Sequence, residues 1–255
     1  CWDPTGHGFV FALNSPKTGS DIWSYSLDSG YLSKLTETPL NGIPRDSLVA
    51  PAVVRYRSFD DTDIPGLLYA PPNAKPDGKN TIIILIHGGP AAQARPTFDA
   101  SVQYLVAQGN VVFQTNVRGS TGYGKTFHHL DDVRKRMDSV TDLFFASQWL
   151  KQSGWADPHK IVVMGGSYGG FMVLAALTTY PDEWAAGINL YGVSDFIMHL
   201  ERTEPWGRRQ REIEYGTIEN DGEFLREISP IHYIDRIDLC ERSLQINYWV
   251  QKSPV

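Results

Sequence analysis

The sequence predicts an α/β fold, a mainly parallel sheet with helices on both faces, and three observations point to it. From residue 81 onward, short apolar runs alternate with longer runs of helical spacing, as in successive strand-helix units. The runs at 82–86 and 161–164 are unbroken rather than alternating, which is expected of strands buried on both faces. Both runs end directly in glycine-rich turns, His87-Gly88-Gly89-Pro90 after the first and Gly165-Gly166-Ser167-Tyr168-Gly169-Gly170 after the second.

The segment before this region has a different texture. Residues 9–13, an apolar run, and 21–27, which alternates in part, are short segments set off by Ser, Gly and Asp turns such as Asp28-Ser29-Gly30, so they predict antiparallel strands. With Leu35-Thr36 closing the unit, residues 1–50 have the pattern of one four-stranded blade of a β-propeller. A lone blade leaves two open sheet edges, so this segment is expected to be a remnant of a propeller. Residues 51–255 form the second expected unit. It opens with a hairpin, 53–56 and 64–69, around Asp60-Asp61-Thr62-Asp63. Strands are then expected at 82–86, 111–117, 161–164 and 186–190, and helices at 98–108, 140–152 and 171–180. The helix from 140 carries Leu143, Phe144, Ser147 and Leu150 at core-facing spacing, with Ser139 as its expected cap and Gly154 past its end.

Composition narrows the function classes. Of 255 residues 12% are aromatic and 20% charged, which suits a packed core rather than a disordered chain. A net charge of -6 argues against a nucleic-acid backbone or an anionic membrane as partner, and no apolar stretch approaches membrane-spanning length. Small or peptide-like ligands fit better. Cys1 and Cys240 are far apart and lack ligand spacing, so neither a disulfide framework nor a zinc site is indicated, and no cofactor is expected.

The glycine-framed Ser167 carries the chemistry. A nucleophile elbow needs a serine on a sharp, strained strand-to-helix turn, and its neighbours must be small for the chain to turn there. With 23 glycines in the chain the spacing alone is weak, but the setting supports it. An apolar run precedes the turn, and a Gly- and Pro-free run, 171–180, follows it until Pro181. Ser167 therefore reads as the nucleophile of a hydrolase. In acyl transfer, charge develops on the carbonyl oxygen, and the matching donors are the amide after the nucleophile, Tyr168, and one from the 87–90 loop, Gly89.

Three other motifs compete. Gly119 to Thr126 satisfies the Gly-x4-Gly-Lys-[Ser/Thr] pattern of a phosphate-binding loop, but the other sharp runs end in glycines rather than in a Mg²⁺-binding Asp, so it reads as an ordinary glycine-rich loop with Arg118 holding it through carboxylates or carbonyls. His128-His129 with Asp131-Asp132 lacks the spacing of a metal site and is expected to be a solvated loop. Arg208, Arg209 and Arg211 beside Trp206 are a candidate for reading a substrate carboxylate, against the commoner case of a solvated face.

Together, the elbow, the His-Gly-Gly-Pro loop, the stretch from Asn116 to Gly124 and Ser229-Pro230-Ile231-His232 resemble the prolyl oligopeptidase family of serine peptidases, nearest its acylaminoacyl-peptidase and dipeptidyl-peptidase-like branch. The resemblance covers about residues 50–237 and implies an α/β-hydrolase domain preceded by the last propeller blade. It further implies cleavage of short peptides, with Ser167 as nucleophile and Tyr168 and Gly89 as backbone oxyanion donors. A carboxylesterase of the same fold and a non-catalytic binding module are the alternatives. In hydrolases of this fold the triad runs Ser, Asp, His along the chain. The resemblance breaks after Ile237, where the family continues to a Gly-x-x-Asp turn and a later His, and neither follows there in this chain. His199 lies too early, and His232 sits in a stretch that is not the triad base in the family, so neither is assigned. Residues 238–255 are read either as a diverged strand before a truncation or as an out-of-frame tail, and the chain is expected to be inactive by itself.

Overall fold

A computed structural model describes residues 1–237. The two readings of residues 238–255 lie outside the described residues. Near the N-terminus, β1 (Gly8–Ser15), β2 (Thr18–Ser26) and β3 (Leu32–Lys34) form an antiparallel sheet in the order β1-β2-β3. This is three strands, not the four expected of a blade. After β3 the backbone turns to serve Asp21, whose carboxylate accepts from the Thr38 amide at 2.6 Å and pairs with Lys34. Gln103 joins this sheet to the rest, donating to the carbonyls of Pro16 (3.0 Å) and Val49 (2.8 Å).

The main sheet has six strands: β4 (Ala52–Arg57), β5 (Asp63–Tyr69), β6 (Asn80–Ile86), β7 (Val111–Thr115), β8 (Ala156–Gly166) and β9 (Ala186–Leu190). Their order is β4-β5-β7-β6-β8-β9; β4 and β5 run antiparallel, and β7, β6, β8 and β9 are mutually parallel. The unbroken apolar runs follow from burial on both faces. Ile82, Ile84 and Ile86 pack into one core with Phe113, Val140, Leu143 and Phe171, while Ile83 joins Val102, Val106 and Val112 on the other side.

The helices are α1 (Ala100–Ala107), the short α2 (Lys125–His128), α3 (Arg136–Gln152), α4 (Tyr168–Thr179), α5 (Phe196–Arg202), α6 (Pro205–Tyr215) and α7 (Ile218–Glu227). Two boundaries differ most from expectation, by four or more residues. α3 begins at Arg136, so Ser139 lies inside it and donates to the Arg136 carbonyl at 2.8 Å instead of capping it. β8 begins at Ala156 because Asn80 pairs with Ala156 ahead of a register irregularity, and its polar first half hides it as a strand. The three helices after β9 are announced by end signals rather than by a long apolar run. Asp195 and Thr217 accept from the Met198 and Asn220 amides as caps, and Pro205 opens α6 while Gly216 closes it. Among the described residues no helix is long and apolar enough to cross a membrane.

Chain order decides where the site lies. From β6 the chain moves to β7 on one side, then returns to β8 on the other side of β6. The carboxyl ends of β6 and β8 thus flank the point where strand order reverses, the usual place for a ligand crevice in such sheets.

Candidate active site

Ser167 stands between β8 and α4 with φ 56° and ψ -120°, a conformation rarely adopted by a residue with a side chain. Its side chain is exposed while Tyr168, Gly169 and Gly170 after it are buried. The turn is held from behind: the Ser167 amide donates to the Leu190 carbonyl on β9 (3.0 Å), and the Phe171 amide donates to the Ser167 carbonyl (3.1 Å). The adjacent glycines are required by close approach. A Cβ on Gly165 would lie 2.5 Å from the Gly169 carbonyl oxygen, and one on Gly169 would collide with the carbonyl of Ile86 at the end of β6.

That contact brings the first turn of α4 against the loop after β6. A Cβ on Gly88 would lie 3.6 Å from the Ser167 Cβ and 3.3 Å from the Gly166 carbonyl oxygen. Gly89 follows with φ 134° and offers its carbonyl to Arg211. The expected residues Ser167, Tyr168 and Gly89 therefore gather where β6 and β8 end. The amides opening α4 have no intrahelical acceptor, and the helix dipole favours negative charge at this end.

The Asn116–Gly124 loop explains why the 87–94 segment holds its shape. The Asn116 side chain pairs with Ala94 in both directions, accepting from its amide (2.7 Å) and donating to its carbonyl (3.1 Å), and the Thr121 amide donates to the Ala92 carbonyl (2.8 Å). His87 Nδ1 lies 2.7 Å from the Gly88 carbonyl, which only accepts, so a ring proton belongs on Nδ1, while Nε2 lies 2.9 Å from the Ser120 oxygen, whose own hydrogen goes to the Val117 carbonyl at 2.6 Å. Burial holds the His87 pKa below its ordinary value, favouring the neutral ring. The phosphate-loop pattern in this stretch is thus a brace, with its Gly119, Ser120 and Thr121 amides given to protein carbonyls. Arg118 anchors it, donating to Asp142 (2.9 Å from Nη2) and to both oxygens of Asp60 (3.0 and 3.1 Å). The Arg118 hydrogen bonds hold Asp60 down at about 2.

The loop expected to be solvated at 128–132 is partly core. Asp131 is wholly buried and paired with the wholly buried Arg136, five residues on, because Arg136 reaches inward to Tyr168 rather than outward to water. Burial pushes the Asp131 carboxyl up to about 7, against the pull of the Arg136 charge. Asp131, Asp132 and Glu214 bring ligand-capable oxygens within 4.8 Å of one another. However, the Arg136 guanidinium already bonds both Asp131 and Glu214, so the acidic charge there is met by the protein.

The arginine cluster divides. Arg208 is engaged by Glu212 (2.6 Å) and Glu219 (3.1 Å), Arg209 is exposed, and Arg211 donates to the Gly89 carbonyl at 3.0 Å. Two hollows meet here. One of about 320 Å³ is lined by Ser167, Tyr191, Val193, Met198, His199 and Thr203, and the other, about 560 Å³, lies between Gly89–Ala91 and Trp206, Gln210 and Arg211. His199 thus lines the same hollow as Ser167, with burial, then the Arg211 charge, holding its pKa below the usual value.

A serine raised on a strained strand-to-helix turn at the carboxyl edge of a mainly parallel sheet is the arrangement of the α/β-hydrolase fold. Within that fold the chain's place is specific: the model of the prolyl oligopeptidase family matches residues 96–246, and the chain belongs to this family. It is 31% identical over 206 residues to dipeptidyl aminopeptidase BIII of Pseudoxanthomonas mexicana, covering 78% of this chain and 30% of that protein. It is 28% identical over 235 residues to the prolyl endopeptidase of Elizabethkingia miricola, covering 91% and 33%. The crystal structure of puromycin hydrolase superposes with a TM-score of 0.83 at 25% identity, over 91% of this chain and 36% of that one. The chain spans about a third of the length of these relatives.

Sequence reasoning missed Arg136, Asp131 and Arg211 as neighbours of the turn. Their partners are 32, 37 and 122 residues away, and no local periodicity signals such contacts.

Proposed function

We propose that this chain is the catalytic portion of a serine peptidase that cleaves short peptides through an acyl-enzyme on Ser167. Residues 51–255 are the peptidase unit and residues 1–50 the remnant of the last propeller blade. The Ser167 oxygen attacks the peptide carbonyl and its proton passes to a base. The carbonyl oxygen, now negative, is met by the amides of Tyr168 and Gly89. Collapse of this intermediate expels the amine, which takes a proton from the protonated base, and water then releases the acyl group. The observation that carries the reading is the exposed Ser167 on its strained turn against the Gly88 loop. Relatives named as an aminopeptidase and an endopeptidase support the substrate class.

The triad Asp and His of the family have no counterpart at the positions the resemblance maps, so the 255-residue chain by itself is nearly inert. Without its base an enzyme of this kind retains about 10³ to 10⁴ over water, from binding and the oxyanion hole. Prolonged incubation with p-nitrophenyl acetate followed by peptide mapping tests the assignment. An acetyl group on the peptide containing Ser167, lost in Ser167→Ala, is expected; acylation confined to other residues contradicts it. Peptide anilides should be turned over no faster than about 10³ to 10⁴ times the uncatalysed rate.

A further inference from the structure

The Tyr168 phenol is fully buried, although only its backbone amide has a part in the proposed chemistry. The phenol closes a ring of hydrogen bonds. Arg136 Nη1 donates to the Tyr168 oxygen at 3.1 Å, and Ser139 gives its only hydrogen to the Arg136 carbonyl at 2.8 Å. The Tyr168 hydroxyl therefore donates to Ser139 Oγ, 3.1 Å away, in preference to the more distant Asp131 Oδ2 at 3.5 Å. Each hydrogen is used once, and the ring ties the residue after Ser167 to the first turn of α3.

Arg136 also reaches past the ring. Its Nη2 donates to the Glu214 carbonyl at 2.5 Å near the end of α6, and its guanidinium lies over the Tyr168 and Tyr215 rings, 5.3 and 5.1 Å from their centroids. The same helix sends Arg211 to the Gly89 carbonyl at 3.0 Å. Both segments offered as oxyanion donors are thus held from α6, one through Arg136 and Tyr168, the other through Arg211.

The arrangement is costly if stability is its only purpose. Asp131 Oδ1 and Arg136 Nε are buried without a partner among the described residues. Apolar residues in place of a buried ion pair are often as stable or more so, whereas a polar network specifies one geometry. Room for the Asp131 carboxylate comes from Gly119 (φ 90°), where any Cβ would overlap it.

Building on the Ser167 reading, we propose that Arg136 is a positioning residue for the oxyanion site: anchored by Asp131 and α6, it holds the Tyr168 phenol and so aims the amide that follows the nucleophile. The test uses the 255-residue chain, a dipeptide boronic acid whose boron becomes tetrahedral on the serine oxygen, and the matching unmodified dipeptide, which needs no oxyanion donor. Arg136→Met should weaken the boronic acid about tenfold, since a misaimed group commonly costs one to two orders of magnitude. Dipeptide affinity should stay unchanged, and Arg136→Lys should recover part of the loss. If Arg136→Met does not fold, Tyr168→Phe removes the anchored hydroxyl while leaving the ion pair, and the same selective loss is expected. Tyr168→Phe binding the boronic acid as the unaltered chain does, or boronic acid and dipeptide weakening together, would overturn the proposal. Boronic acid binding that is the same in Ser167→Ala would instead overturn the nucleophile reading, and the positioning role with it.

Discussion

Ser167 occupies a backbone conformation that costs on the order of 1–3 kcal/mol for a residue with a side chain. It persists because the sheet and helix on either side determine it, and the glycines around it are part of that determination. At Gly169 there is no room for a methyl group against the end of β6. Gly169→Ala is expected to lower stability by about 1–3 kcal/mol, the usual range for overpacking. In urea unfolding this is a lower midpoint at unchanged slope. His87 makes a second residue-scale prediction. Burial lowers its folded pKa below the ordinary 6.5, so the unfolded chain binds the extra proton more readily. Its stabilising contribution is full above pH 6.5 and is lost as pH falls below it. Unfolding followed across pH 5 to 8 should show this loss in the unaltered chain and a flatter profile in His87→Gln.

At the level of elements, what was legible in the sequence follows from what each element buries. The strands at 82–86 and 161–164 announce themselves because both faces are covered, and the elbow because a serine among four glycines at a strand's end has few other uses. Asp157 to Lys160 continue β8 backward with polar side chains, which no apolar pattern reveals. Arg136 and Ser139 are polar residues in a buried first turn, so the apolar pattern places the start of α3 too late. The role of α6 was equally hidden. Arg208, Arg209 and Arg211 are neighbours in sequence, yet one serves its own helix and another crosses to Gly89. Arg211→Met should therefore weaken binding of a dipeptide boronic acid about threefold to tenfold, the worth of one charged hydrogen bond partly screened by solvent. Arg208→Met should change that titration little.

Across the whole molecule, Arg118 ties distant parts into one body. Through Asp60 it holds the β4–β5 turn, through Asp142 it holds α3, and its own backbone begins the loop that braces the 87–94 segment. Burial raises the Asp142 pKa from its ordinary value even with Arg118 beside it. Asp142→Ala would leave buried Arg118 with the half-exposed Asp60 and the more distant Asp138 at 3.9 Å, and should cost about 3–5 kcal/mol, as breaking a buried pair does. Thermal unfolding would register this as a large fall in midpoint. Such a change also releases the brace behind His87, so fold and site should weaken together in this variant, unlike those on α6.

The most direct measurement is the ¹¹B NMR spectrum of a dipeptide boronic acid titrated with the 255-residue chain. A tetrahedral boron signal with the unaltered chain, absent with Ser167→Ala, is the predicted result. Boron that stays trigonal at saturating protein, or a tetrahedral signal that survives Ser167→Ala, would contradict the assignment of Ser167 as the nucleophile.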